Sequence, residues 1–275
     1  MKIDPLVSVL IPVYNGANYL ELTIEKLLNQ DYKNIEIIIS DNNSEDSTKE
    51  ICFKFCEIDK RVKYFKQNTN IGMIKNELFL SEKVKGKYFF WMPAGDYIDK
   101  KFIIKGIEYL EQNKDTVSCF GETVYFQNYS EEIKKLKHTE IFNLNTKERI
   151  KNFLKYQIAD ILINGIHRST VNKKIQPIEN CINPEILQIF NIIELGKYKG
   201  LKEMCFYKHY PDPQNPRNKD QKYILYRTRK NIINHFRVYS KIIVKIFSHF
   251  DFLTSMYLII KLIIFRLFSK LKFIK

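Results

Sequence analysis

The chain has 275 residues, 45 Lys and Arg against 31 Asp and Glu, and a formal net charge of +14. Hydrophobic residues make up 45% of it, with only 9 Gly and 8 Pro, which excludes a disordered or collagen-like chain. The charge is uneven: the last 59 residues, after Pro216, hold 14 basic side chains and only two acids, Asp220 and Asp251, a net +12, while the first 216 are nearly neutral at +2 and long enough for a sizeable core.

In chain order, VSVLIPV from Val7 reads as a buried strand stopped by a turn at Tyr14, Asn15 and Gly16. Leu20, Ile24, Leu27 and Leu28 then recur at helical spacing over about Ala17 to Gln30. Ile35 to Ser40 is a second strand, followed by a polar loop, DNNSEDST, in which Asp46 or Ser47 can cap a helix running to about Ile58. VKYFKQ is a third strand, Gly72 to about Val84 a third helix and GKYFFWM from Gly86 a fourth strand. Strands alternating with helices at this spacing predict right-handed crossovers and a mostly parallel α/β sheet covered on both faces.

Such sheets bind ligands beyond the carboxyl ends of their strands. Those ends are polar: Tyr14, Asn15 and Gly16; Asp41, Asn42, Asn43 and Ser44; Asn68, Asn70 and Gly72; Gly95, Asp96 and Tyr97. Turn chemistry accounts for any one of them, since Asn, Asp and Gly make turns, but four on one rim point to a binding site. There is no G-x-G-x-x-G and no G-x-x-x-x-G-K-[ST], so neither a dinucleotide fingerprint nor a phosphate loop is present, and a nucleotide, if there is one, must be held otherwise. The five cysteines, an odd number without zinc-ligand spacing, read as core thiols of a reducing compartment, and the N-terminus shows no export signal.

VSVLIPVYNGANYL, IEIIISDNNSEDST, NTNIGMIKN and GKYFFWMPAGDYID, in that order and spacing, resemble the family 2 glycosyltransferases with the A-type, nucleotide-diphospho-sugar-binding fold. The likeness covers about residues 5–125 well and extends more weakly to about residue 213. It implies a Rossmann-like transferase domain over 1–213, with a donor-binding half at about 5–125, an acceptor half at about 126–213, and a helical extension over 214–275.

The resemblance assigns roles. Pro12, Tyr14 and Asn15 are expected to line a crevice for the base, with Asp41 accepting from a ring N–H. Asn70, Gly72 and Asn76 are expected to shape the wall near ribose and diphosphate; Lys75 offers charge there or is a solvated helix lysine. Most members carry two or three acids where this chain has Pro93, Ala94, Gly95 and Asp96, so Asp96 alone remains to hold Mg²⁺ or Mn²⁺. Asp99 is either a second acid or the cap of the next helix. Family spacing back from Gly196 reaches Glu185 as the catalytic base of an inverting transfer, with Glu179 as the alternative; Glu in a first turn also suits the helix dipole. His167 in NGIHRST is expected to be structural, whereas Lys208 or His209 in CFYKHYP could reach the diphosphate or a metal.

Beyond PDPQNPRNKDQ the chain is long, apolar, proline-free and punctuated by Lys and Arg. Lys261 and Arg266 interrupt its longest apolar run and argue against a bilayer span. The tail reads either as a helical arm on the body or on a partner in a homo-oligomer, or as helices lying on the anionic face of a membrane. Nucleic acid is not expected, because the tail is too hydrophobic and carries no such motif. The expected protein is an inverting transferase on the inner face of a bacterial cell membrane, in surface polysaccharide or lipopolysaccharide assembly. It would take a nucleotide-diphosphate sugar as donor and a glycan or lipid-linked acceptor. The missing acids leave a rival, a weakly active member serving as a binding or scaffold subunit.

Overall fold

Seven residues rich in Val, Ile and Leu have one stable home, a strand covered on both faces, and Val7–Val13 forms it as β1. The same holds for β2 (Ile35–Asp41), every residue of which is buried. Its one interior charge, Glu36, takes hydrogen bonds from the Ser8 hydroxyl and the Lys63 ammonium. Burial opposes ionisation of Glu36, but these donors prevail and hold its carboxyl below the usual range. The computed structural model describes residues 4–127, 131–136, 145–156, 162–172, 185–209 and 231–260.

β3 (Val62–Lys66) and β4 (Tyr88–Trp91) join β1 and β2 in parallel, in the order β3-β2-β1-β4. The crossovers are α1 (Ala17–Leu28), α2 (Thr48–Ile58) and α3 (Met73–Glu82). These strands and helices are the ones read from the sequence, with boundaries within a few residues of those expected. The sheet then continues as β8-β6-β9-β5, with β7 (Glu131–Leu136) paired to β6. Here β5 is Tyr97–Ile98, β6 Thr116–Gln127, β8 Ile166–Arg168 and β9 Lys197–His209, and directions are mixed: β8 is antiparallel to β4 and β6, β5 antiparallel to β9, and β6 parallel to β9. Helices α4 (Phe102–Gln112), α5 (Thr146–Tyr156) and α6 (Glu185–Leu195) belong to this half.

Two apolar clusters cover the two faces of the sheet. One joins α1 and α4 to the odd-numbered residues of β1 and β2; the other joins Leu10, Ile38, Phe89 and Phe120 to α5, α6 and the C-terminal helix α7 (Asn231–His249). α6 is buried nearly all round, since Leu187, Ile189, Phe190, Ile192 and Ile193 are all in this cluster. Ile242 and Ile246 of α7, with Leu258 and Ile259 of the helical residues 252–260, pack there too. The inner faces of both C-terminal helices are therefore part of the body. The segments 210–230 and 261–275, with Lys261 and Arg266, lie outside the described residues.

His167 sits at the centre of this frame, fully buried. Its Nε2 meets the Ile163 carbonyl, an acceptor only, so Nε2 carries the proton and Nδ1 accepts from the Ser118 hydroxyl at 2.6 Å. Burial pushes its pKa down from 6.5 to about 4. The unfolded chain thus takes up a proton below pH 6.5 that the folded chain refuses until about pH 4. Stability is full above that window and falls as pH drops through it, by roughly 3 kcal/mol from this group. Urea midpoints from pH 7.5 to 4.5 should fall more steeply for the natural chain than for His167→Gln; parallel curves would assign the acid sensitivity elsewhere.

Candidate active site

The loops after β1 and β2 are laced together by their own polar groups. Asn15, with φ +50°, turns the chain so that its amide donates to Ser44 Oγ at 2.8 Å while its Oδ1 accepts from the Glu45 amide. The Gly16 amide donates to Thr48 Oγ1, and the Ala17 amide to Asp46 Oδ2. Asp46 Oδ1 also accepts from the Thr48 amide and hydroxyl. Ser47 stands at the N-cap of α2 without a side-chain cap bond; Asp46 serves the first turns of both α1 and α2 instead. Burial opposes its charge, but the donors from Thr48 and Ala17 hold its carboxyl below the usual range.

Asp41 ends β2 fully buried. Its Oδ1 accepts from the Ser44 amide at 2.7 Å and its Oδ2 from the Tyr64 hydroxyl at 2.7 Å. An ionised carboxylate has about four acceptor sites, so capacity for a further N–H remains. Pro12 is half-buried and Tyr14 and Asn15 are exposed at the adjoining strand end.

The third strand end is joined to the second through Asn42, which the sequence reading placed on the rim without a role. Its Nδ2 donates to Asn70 Oδ1 at 2.9 Å and its Oδ1 accepts from the Ile71 amide; Asn70 Oδ1 also accepts from the Gly72 amide. Gly72 opens α3 with φ +84°, a conformation that a side chain would strain. Asn76 is buried and meets Ser40 twice, accepting from its hydroxyl and donating to its carbonyl. It bolts α3 to the strand that presents Asp41. Lys75 is exposed on the first turn of α3.

At the fourth strand end, Pro93 to Asp96 form a turn closed by the Asp96 amide on the Pro93 carbonyl, with Gly95 at φ +102°. Positive φ at the third position of such a turn favours Gly, and Gly95 occupies it here without steric cost. Thr23, on the apolar face of α1, holds the turn from below: its hydroxyl donates to the Asp96 carbonyl and accepts from the Gly95 amide, both at 2.9 Å. Asp96 is only 5% exposed, and its Oδ1 accepts from the backbone amide of His209 at 2.9 Å. Asp99 Oδ1 accepts from the Lys101 amide in the turn ahead of α4, whose N-cap is Lys101 without a side-chain cap bond, and its Oδ2 takes the Cys205 amide. Burial pushes its pKa up.

β9 thus brings the chain's second half onto the acidic turn. Lys208, half-buried, and His209 stand at its end, with the His209 ring 5.4 Å from those of Tyr19 and Phe126. Glu185 is the first residue of α6, which ends before Gly196 at the turn into β9, as its spacing predicts. Glu179 lies outside the described residues. Among the described residues no three His, Cys, Asp or Glu side chains cluster as a metal cage. One carboxylate on a tight turn suits a hard cation only when phosphate and water oxygens complete its shell. The donor set fits a shared site of that kind.

Residues 8–170 match the family described as Glycosyl transferase family 2. A Rickettsia typhi protein named uncharacterized glycosyltransferase RT0329 is 37% identical over 143 residues, covering 47% of this chain and 44% of that protein. An uncharacterized glycosyltransferase of Haemophilus influenzae is 35% identical over 121 residues, covering 44% and 37%. The chain spans less than half the length of these relatives. Among solved structures, Staphylococcus aureus TarS 1-349 in complex with UDP-GlcNAc superposes with a TM-score of 0.68 at 15% identity, covering 94% of this chain and 71% of that one. The mannosyltransferase PcManGT of Pyrobaculum calidifontis, in complex with GDP-Man and Mn²⁺, superposes with a TM-score of 0.58 at 11% identity, covering 78% and 59%.

Proposed function

The chain belongs to glycosyl transferase family 2 and has the A-type glycosyltransferase fold, and from its rim we infer that it moves a sugar, with inversion, from a nucleotide diphosphate to a glycan or lipid-linked acceptor. The observation that carries this reading is the fourth strand end, where Asp96 is held on one side by Thr23 and on the other by the His209 amide. A carboxylate so fixed sits where a leaving diphosphate belongs in an open α/β sheet. The nucleotide sugars in the TarS and PcManGT complexes support a donor of the same class.

In this mechanism the base enters between the ends of β1 and β2, against Pro12, Tyr14 and Asn15, and Asp41 accepts its ring N–H. Asn70 and Gly72 line the way to the diphosphate, and Asn76 acts by fixing Ser40 and so Asp41. Asp96 would hold Mg²⁺ or Mn²⁺, which when bound supplies positive charge to the leaving diphosphate. Lys208 adds charge from the side of β9. Glu185 takes the proton from the acceptor hydroxyl as its oxygen attacks the anomeric carbon and the bond to the diphosphate breaks. The basic, apolar C-terminal region holds the enzyme on the anionic inner face of the membrane, where lipid-linked intermediates of surface polysaccharide or lipopolysaccharide assembly reside.

A panel of UDP-, GDP-, CDP- and dTDP-sugars, each with Mn²⁺, tests donor recognition by thermal unfolding. One nucleotide class should raise the melting temperature by about 5 °C or more at a hundredfold excess over Kd. No shift with any donor would overturn the reading. The acid-poor turn at Pro93–Asp96 favours a second one, a scaffold subunit, which a shift without turnover on any acceptor would support.

A further inference from the structure

We propose that the outward face of the two C-terminal helices is an in-plane docking surface for an anionic phospholipid bilayer. This deepens the membrane attachment proposed above, and rests on it, by naming the residues that enter the lipid. Single exposed apolar side chains are ordinary on a soluble surface, but a contiguous patch is not. Val244 is 68% exposed, Phe252 68%, Leu253 78% and Tyr257 56%, with Phe247 and Ile260 also exposed. Phe252, Leu253, Tyr257 and Ile260 recur at spacings that place them on one side of the helical residues 252–260, opposite the buried Ser255, Leu258 and Ile259. The Phe247 and Phe252 rings lie 6.1 Å apart across the junction, so α7 and the following helix share one apolar surface.

The inner faces of the same helices are fully engaged. Ile242 and Ile246 are buried, and Lys245 and His249 both pair with Glu194 of α6. That attachment holds the helices to the body with their second apolar face outward.

Charge selects the occupant. Residues 217–237 carry seven Lys and Arg and residues 261–275 five more, with Asp220 the only acid in either segment. A second copy would bring a region of net +12 against another of +12, whereas anionic headgroups complement it. Among the described residues no helix is long and apolar enough to cross a membrane. Helices with one apolar face on the body and the other outward therefore lie along the headgroup boundary, aromatic and leucine side chains downward and lysines among the headgroups. Because α7 packs on α6, docking places the acceptor half of the molecule beside the bilayer.

The 275-residue protein is mixed with vesicles of phosphatidylcholine alone or of phosphatidylcholine with phosphatidylglycerol, and partition is read by sedimentation. The natural chain should bind the anionic vesicles and bind the neutral ones weakly. The double variant Phe252→Ser/Leu253→Ser should lose at least about tenfold in partition, with its circular dichroism and donor-induced thermal shift unchanged. Wild-type partition by that variant would overturn this face while leaving attachment through other residues standing. No binding by the natural chain would overturn attachment and face together. A natural dimer that the variant converts to monomer, with vesicle binding retained, would show the patch to be a self-association surface. Loss of the donor shift in the natural chain would count against the transferase reading alone.

Discussion

Asp96→Asn is expected to lower sugar transfer by about 10²–10³-fold, the loss typical when one preorganised electrostatic partner of developing charge is removed. The fold gives the reason to choose Asn. Its amide oxygen can still accept from the His209 amide, now at 2.9 Å, and the turn beneath remains tied to Thr23 through backbone atoms. What is lost is the negative charge and one of the two acceptor oxygens. Unfolding midpoints should therefore move little, while turnover falls and the response to Mn²⁺ concentration flattens. Equal turnover by the variant would remove Asp96 from the chemistry. A large fall in stability would instead make the residue a clasp between β5 and β9.

Glu185→Gln is expected to cost about 10²–10⁴-fold in turnover, the range for loss of a general base. Donor binding should be unchanged, because the proton it removes belongs to the acceptor. Thermal shift with donor and initial rates with acceptor separate the two effects. Gln keeps the size and helix propensity of Glu at the first position of α6, so the remainder of that buried helix is undisturbed. Near wild-type transfer by the variant would move the role to another acid, Glu179 first.

The first half was legible in the sequence because three of its four strands are short local runs of apolar, mostly β-branched or aromatic residues, and β3 (VKYFK) keeps Val, Tyr and Phe between its lysines. The second half was less so. β5 has two residues and exists through pairing with β9, more than a hundred positions away, and β6 with β9 carries register shifts that no periodicity encodes. On the rim, Tyr14, Asn15, Asp41, Asn70, Gly72 and Asp96 could be picked from their places at strand ends, whereas Pro12 came from the family resemblance. Thr23 could not, since one hydroxyl in an apolar helical stripe reads as a break in the pattern; its only signal was that position between Leu20 and Ile24. His209 meets Asp96 through a backbone amide, and a main-chain donor has no signature in residue type. Tyr64 was read as a strand residue, and only the fold puts its hydroxyl on Asp41.

The lacing of Asn15, Ser44, Asp46 and Thr48 has a thermodynamic consequence for recognition. Two loops that would otherwise have to be ordered around a nucleotide are ordered when the protein folds, so little conformational entropy is lost at the moment of encounter. Association at that crevice should accordingly be fast and close to rigid-body, with conformational adjustment confined to the side facing β9 and the acceptor.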